Sequence, residues 1–223
     1  MCFSATASFS ASVILIPVGL YCVKKAASLE EPYWVLALLP FVFGIQQFFE
    51  GLVWLGIDPD GRGTARLAAM GYMFFSHVFW LVWVPFSCYV IEDNAIKKKL
   101  FLIIMFFGAA VGLAMYVPLW VHEHWLSIEV IHHSISYKTT LLYDDYVLKG
   151  VGRIVYALII LAPLLLASDR HINIFGIVIA ISSIIFTLFF EYAFVSIWCF
   201  FSAILSFSIL IMMLRKTKLA ANN

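Results

Sequence analysis

The sequence predicts an all-α integral membrane protein with seven transmembrane helices. Of its 223 residues, 64% are hydrophobic and 12% are charged, whereas soluble domains carry about 25% charged residues. The charged residues fall in short clusters that separate long uncharged runs, as in membrane-spanning helices. The net charge is +1, and the scattered basic residues form no face for nucleic acid. The expected partner is therefore the lipid bilayer.

Seven apolar runs define the predicted spans of a single domain, 1–223. No Lys or Arg precedes Lys24, and a signal peptide would carry its positive charge ahead of the apolar run. We therefore expect an uncleaved first span. From Ile172 to Leu214 the one charged residue is Glu191, and a single helix of that length would measure ~65 Å, about twice the hydrocarbon thickness. A bend at 190–193 is expected. The predicted spans are 5–23, 33–56, 67–91, 100–120, 153–167, 172–189 and 193–214.

Basic residues between the spans predict the orientation in the membrane. If the N-terminus is outside, most of the basic residues lie in the inner segments: Lys24 and Lys25, Lys97 to Lys99, Arg170 and the cluster at 215–218. That distribution follows the positive-inside rule. We therefore expect a periplasmic or extracellular N-terminus and a cytoplasmic C-terminus.

The longest polar connection, 121–152, is predicted to carry a short β-hairpin between the fourth and fifth spans. Residues 127–137 and 139–148 are rich in β-branched and aromatic types, which favours strands with Lys138 near the turn. On a strand, His132 and His133 would point to opposite faces, so both cannot easily bind one ion. An interfacial helix is the alternative interpretation of this segment.

The second predicted span carries a carboxylate and two amides inside its apolar run. Gln46 and Glu50 are four residues apart, and Gln47 and Glu50 are three apart, so the three side chains share one helix face. A charged side chain within hydrocarbon costs ~2.5–3.5 kcal/mol on insertion scales. We therefore expect a group inside the protein to meet Glu50.

The predicted topology places other reactive groups towards the same side of the membrane. Glu50 lies ~9 Å below the outer end of the second span, and His77 lies ~15 Å down the third span from that side. Glu191 is expected at the outer bend, and Cys2 begins the chain on the outer face. The predicted outward-facing ligand pocket comprises Gln46, Gln47, Glu50, His77 and Glu191.

Carboxylate, imidazole and thiolate groups are typical ligands of a divalent metal such as zinc. The candidate metal ligands are Glu50, His77, Glu191 and Cys2. Glu50 and His77 would otherwise form a neutral hydrogen-bonded pair or pass protons. A structural role competes at every one of these positions. The other cysteines, Cys22, Cys88 and Cys199, are interpreted as small apolar filler.

Three motifs carry a family resemblance. The opening MCFSATASFSAS, the block FGIQQFFEGLVWLG at 43–56 and the segment EYAFVSIWCFFSA at 191–203 resemble an uncharacterised bacterial family of multi-pass membrane proteins. The resemblance implies a bacterial membrane protein and no known activity, and we expect the protein in the inner membrane. Retinal is not expected, because the last predicted span has no lysine before Lys216. The HxxxH zinc motif of alkaline-ceramidase-like hydrolases is also missing, because no histidine follows His171.

These observations leave three hypotheses about function. The first is a protein that binds or senses a small ligand, a metal ion or a proton in its intramembrane pocket. The second is a membrane-embedded, metal-dependent hydrolase that attacks lipid with a metal-bound water. The third is a structural membrane protein without chemistry. Whether the protein is an enzyme, and which residues would be catalytic, stays open at this point.

Overall fold

The described part of the chain is mostly helical and carries helices of membrane-spanning length. A computed structural model describes residues 4–28, 32–57, 64–131, 133–140, 149–189, 199 and 203–221. Within these residues four helices are long and apolar enough to cross a bilayer: Ala5–Ala26, Trp34–Gly56, Ala65–Ile91 and Ala95–Val121. Shorter apolar helices cover Val151–Leu166, Arg170–Ile185 and Ala203–Arg215. The helices indicate an integral membrane protein, whereas seven spans and their orientation stay predictions.

Helices make up most of the chain, and a single hairpin of two strands lies between α6 and α7 in the described residues. The helices are α1 (Ala5–Ala26), α2 (Trp34–Ala37), α3 (Leu39–Gly56), α4 (Thr64–Phe74), α5 (Trp80–Ile91), α6 (Ala95–Val121), α7 (Lys149–Leu166), α8 (Arg170–Phe189) and α9 (Phe207–Ala221). A π-helical turn, Phe75–Phe79, joins α4 to α5, and a short 3-10 turn, Glu123–Trp125, follows α6. The strands are β1 (Leu126–Ile131) and β2 (Ser134–Thr139).

The chain divides into two compact units. Unit 1 is Met1–Tyr72 with Ser196–Asn223, and unit 2 is Met73–Val195. In unit 1, α9 and α3 both pack on α1. In unit 2, α5 packs on α6 and α7, and α7 packs on α8. The single domain expected from the sequence stays a prediction, and each unit is described by itself.

Helix α1 begins at a side-chain cap and packs through a stripe of small residues. The Ser4 hydroxyl accepts a hydrogen bond from the backbone N–H of Ala7 at 3.2 Å, which satisfies one of the free donors at the helix start. The buried residues recur every three or four positions, as Ser8, Ser12, Leu15, Gly19, Cys22 and Ala26. A Cβ on Gly19 would collide with the backbone of Phe41. Small residues therefore let α1 lie directly against α3.

The second predicted span is interrupted rather than continuous. Helix α2 ends at Ala37 and α3 begins at Leu39, with Pro40 in the first turn of α3. Proline lacks an N–H, and its ring clashes with the carbonyl four residues earlier. The span Trp34–Gly56 agrees with the predicted 33–56, and Leu38 marks a local interruption within it.

Helix α6 packs closely on the third predicted span through two glycines. Pro85 lies inside α5, and proline cannot donate to the carbonyl four residues earlier, which is that of Leu81. A Cβ on Gly108 would collide with this carbonyl oxygen, and a Cβ on Gly112 would lie 2.6 Å from the carbonyl oxygen of His77. Both glycines are therefore required by the approach of the two backbones.

The predicted β-hairpin is confirmed, but its turn lies elsewhere. Strands β1 and β2 are antiparallel, with Leu126 opposite Thr139 and Ile131 opposite Ser134. The turn therefore lies between Ile131 and Ser134, and His133 within it has φ of 58°. Two-residue hairpin turns need positive φ to match the twist of the strands.

The expected turn at Lys138 is therefore wrong. Lys138 lies near the open end of the hairpin, opposite Ser127, and its ammonium group is 2.7 Å from the carboxylate of Glu129. His133 belongs to the turn and not to a strand. The pattern of β-branched residues continues past Thr139 and carries no glycine or proline at the true turn, so it did not mark the strand ends. Residues 141–148 of the expected second strand lie outside the described residues.

One buried carboxylate joins the two helix connections at the same end of unit 2. Glu92, which is 4% exposed, accepts hydrogen bonds from the backbone N–H of Asn94 at 3.0 Å and of Ser168 at 2.9 Å. The ammonium group of Lys97 donates to the Ser168 hydroxyl at 2.9 Å. Glu92 thus links the α5–α6 connection to the α7–α8 connection.

Candidate functional site

The polar face predicted on the second span is completely buried in unit 1. Gln46, Gln47 and Glu50 on α3 are each 0% exposed. The Gln47 side-chain amide donates to Glu50 Oε2 at 3.2 Å, which is the three-residue pairing that a helix allows. The carboxyl group therefore meets a protein donor instead of lipid, which lowers the cost of placing it there.

Two further residues of unit 1 complete this cluster. Tyr72, near the end of α4, is 0% exposed, and Cys199 is 6% exposed. The side chains of Tyr72 and Gln46 hydrogen-bond the Cys199 thiol, which also lies close enough to Glu50 to be affected by its charge. We name Gln46, Gln47, Glu50, Tyr72 and Cys199 the Glu50 cluster.

Tyr72 was not predicted from the sequence, and the interpretation of Cys199 as apolar filler is wrong. A buried cysteine in an apolar run is usually filler, and nothing in the spacing links it to Glu50, which precedes it by about 150 residues. The available signal is that Cys199 lies in the third family motif, while Glu50 lies in the second. Only the folded structure shows that these two motifs contribute residues to one cluster.

Glycine contacts give the register of α1 against α3. A Cβ on Gly51 would touch the ring of Phe9, and a Cβ on Gly44 would touch Ile16. The two helices therefore run antiparallel in close contact. Ser8 precedes Phe9, and Ser12 lies between Phe9 and Ile16. Both serines belong to the buried stripe of α1. Helix α1 thus brings two hydroxyl groups to the turn of α3 that carries Glu50.

His77 lies in unit 2, within the π-helical turn, and is 5% exposed. Its Nδ1 is 2.9 Å from the Ser76 hydroxyl, and the carbonyl of Ser76 accepts a hydrogen bond from the hydroxyl of Tyr156 at 2.6 Å. Single π turns inside α-helices occur frequently at functional sites. Glu50 belongs to unit 1, so the pocket expected to combine Glu50 with His77 stays a prediction.

Removing the Tyr156 hydroxyl is expected to loosen the turn that positions His77. Tyr156→Phe deletes the donor to the Ser76 carbonyl and should lower the free energy of unfolding by ~1 kcal/mol. Thermal unfolding in detergent measures the effect. Tyr89→Phe is the matched control, because Tyr89 uses its ring face to contact Lys98 and the substitution keeps that ring. Equal unfolding temperatures for the two variants would contradict a role for the Tyr156 hydroxyl.

The predicted metal site rests partly on residues that the structure does not describe. Cys2, Glu191 and the expected bend at 190–193 all lie outside the described residues. Among those described, no three or more His, Cys, Asp or Glu side chains are grouped in a way that could hold a metal ion. The ligand set of Glu50, His77, Glu191 and Cys2 therefore stays a prediction.

The helices of membrane-spanning length indicate an integral membrane protein, and one of them carries the buried carboxyl–amide cluster. The chain matches the Family of unknown function (DUF6629) over residues 1–223, and it belongs to that family. No curated protein and no solved structure matches the chain. The resemblance to an uncharacterised family is thus confirmed, and the site has to be interpreted from its own chemistry.

Proposed function

We propose that this protein is a seven-span bacterial inner-membrane protein that binds a proton or a small polar ligand at Glu50, within unit 1. Its N-terminus lies outside and its C-terminus in the cytoplasm. The observation that carries the proposal is the complete burial of Glu50 together with its hydrogen bond to Gln47. A carboxyl group in a membrane-spanning helix is costly, and such groups commonly mark ion and proton sites.

The amides around Glu50 suit a group that changes its protonation state. An ionised carboxylate only accepts hydrogen bonds, whereas a protonated carboxyl group also donates one. A glutamine amide offers both a donor and an acceptor. The Gln47 N–H₂ donates to the carboxylate in the present arrangement, and a half-turn of the same amide would present its oxygen to a carboxyl O–H. Gln47 can therefore hold Glu50 in either state.

Infrared difference spectroscopy tests this proposal directly. Protein in lipid nanodiscs is titrated with acid, and the carboxyl C=O band is followed in the wild type and in Glu50→Gln. We expect a pH-dependent band in the wild type that is lost in the variant. Glu129→Gln is the control, because Glu129 is a solvent-exposed carboxylate of the hairpin, and this variant should keep the Glu50 band.

The same preparations separate the alternatives. If the spectra of wild type and Glu50→Gln agree at every pH, Glu50 exchanges no proton and the structural interpretation gains support. Stoichiometric zinc in the purified wild type, lost in Glu50→Gln, would instead support the metal site and with it the metal-dependent hydrolase. A soluble polar compound that shifts the Glu50 band in the wild type would identify a small ligand.

A further inference from the structure

Several buried polar atoms of unit 1 have no hydrogen-bond partner among the described residues, and three of them are Ser8 Oγ, Gln47 Oε1 and Trp54 Nε1. Buried polar atoms in proteins nearly always bond to protein groups or to ordered water. Ser8 and Gln47 are each 0% exposed, so bulk solvent does not reach them.

The three residues lie along the contact of α1 with α3, before and after Glu50. On α3, Gln47, Glu50 and Trp54 are spaced by three and four residues, so they share a helix face. Ser8 lies on the stripe of α1 that packs on α3, next to Phe9, which faces Gly51. The row therefore runs from Gln47 past Glu50 towards the end of α3 that the proposed topology places at the outer surface.

The chemistry of the three atoms is complementary to water. Gln47 Oε1 is an acceptor, Trp54 Nε1 carries a donor hydrogen, and a serine hydroxyl both donates and accepts. A buried water typically makes about three hydrogen bonds to such groups. Water molecules between them would satisfy all three atoms, whereas an apolar occupant would satisfy none.

We propose that bound water connects Glu50 to the outer surface past Ser8 and Trp54, that Gln47 holds the inner end of this row beside Glu50, and that the ligand of the site is a proton taken up along this path. The inference rests on the proposed function and names its ligand. Uptake joins one proton to the Glu50 carboxylate, and each water along the row passes one proton inwards as it receives another. The outermost water is re-protonated by the solvent, so no other reactant is consumed.

Other titratable groups face Glu50 from neighbouring elements. The Cys199 thiol lies close to Glu50, and the Tyr72 phenol on α4 hydrogen-bonds that thiol, while α1 presents the hydroxyls of Ser8 and Ser12. Tyr72 and Cys199 belong to the cluster around Glu50 and not to the row of unpartnered atoms. Removing members of the row should therefore change the rate of proton exchange at Glu50 more than the extent of its titration.

The test is the rate at which the Glu50 infrared band responds to a rapid change of pH. Trp54→Phe keeps an aromatic ring and removes the indole N–H, and Ser8→Ala removes one hydroxyl. We expect each variant to slow the response about tenfold, the factor that ~1.4 kcal/mol in the barrier produces. Ser206→Ala is the control, since Ser206 is a buried serine of the same unit whose hydroxyl donates to the carbonyl of Ala203, and its rate should equal that of the wild type.

The outcomes separate this inference from the proposed function. If the Glu50 band titrates but Ser8→Ala and Trp54→Phe respond as fast as the wild type, the path is wrong while the Glu50 site stands. The path is also wrong if Ser206→Ala is slowed as much as these two variants. If the Glu50 band never changes with pH, the proposed function is wrong, and the path that rests on it is wrong as well. A second measurement needs no substitution: the indole N–H of Trp54 should show a magnetisation-transfer signal to water in NMR spectra, and its absence would overturn the path.

Discussion

Replacing Gly108 with leucine will destabilise unit 2 by about 3 kcal/mol or more, at or above the upper end of the usual cost of overpacking. The first added atom, a Cβ, would collide with the carbonyl oxygen of Leu81 and lie 3.0 Å from a methyl group of Ile159. A flexible side chain can move away from such an intrusion, but a backbone carbonyl cannot move without shifting its helix. Helices α5 and α6 would have to separate.

The control for this prediction lies two residues further along the same helix. Ala110 is exposed, so Ala110→Leu adds a bulky side chain at an open position and should leave stability almost unchanged. Thermal unfolding in detergent, followed by tryptophan fluorescence, compares the two variants. Equal unfolding temperatures would show that the close approach at Gly108 is not a feature of the folded protein.

Replacing Glu92 with glutamine is expected to cost ~2 kcal/mol at neutral pH, the scale of hydrogen bonds to charged groups. The carboxylate accepts from two backbone N–H groups with its two oxygens. An amide has one oxygen, so one N–H would face the N–H₂ group of the new side chain. Asp93→Asn is the matched control, because Asp93 is the neighbouring acid and is exposed.

The loss should depend on pH in a defined direction. Burial by itself raises the pKa of the Glu92 carboxyl, but the N–H donors of Asn94 and Ser168, the Ser168 hydroxyl and the charge of Lys97 outweigh it, so the pKa lies below its usual value. The unfolded chain therefore takes up the proton more readily than the folded one. The stabilisation is complete above the unfolded-state pKa of about 4.3 and is lost as the pH falls through the lower folded-state pKa.

The stability difference between wild type and Glu92→Gln should accordingly be largest near neutral pH and shrink in acid. Chemical unfolding in detergent at a series of pH values measures it. A difference that stays constant down to the acid limit would mean that the charge of Glu92 contributes nothing. A larger loss of stability in Asp93→Asn than in Glu92→Gln would show that the stabilising carboxylate is Asp93 and not Glu92.

The polar face of α3 was predictable because its members are close in sequence. Gln47 and Glu50 are three residues apart, and on any helix that spacing brings the side chains together. Cys199 reaches the same cluster from a distant part of the chain. Its position depends on how the helices pack, which no local spacing encodes. The sequence therefore identified one helix of the site and not the residues that face it.

The two irregularities of the helix backbone also differ in whether the sequence predicts them. Pro40 was visible in the sequence and explains the break at Leu38, because the effect of proline on a helix is local. The π-helical turn at Phe75–Phe79 has no such marker. Tyr156 donates to the carbonyl of Ser76 within it, from 80 residues away. A contact of that kind cannot be anticipated from the residues of the turn alone.

The sequence by itself determined the class of protein, the places of the long helices, the existence of a hairpin and the pairing of Glu50 with Gln47. All of these follow from hydrophobicity and short-range periodicity, which are properties of neighbouring residues. The tertiary structure alone decided that Tyr72 and Cys199 join Glu50, that Gly108 meets the carbonyl of Leu81, and that the hairpin turns at His133. Those features depend on packing between distant segments or on the register of one strand against another, which only the folded chain defines.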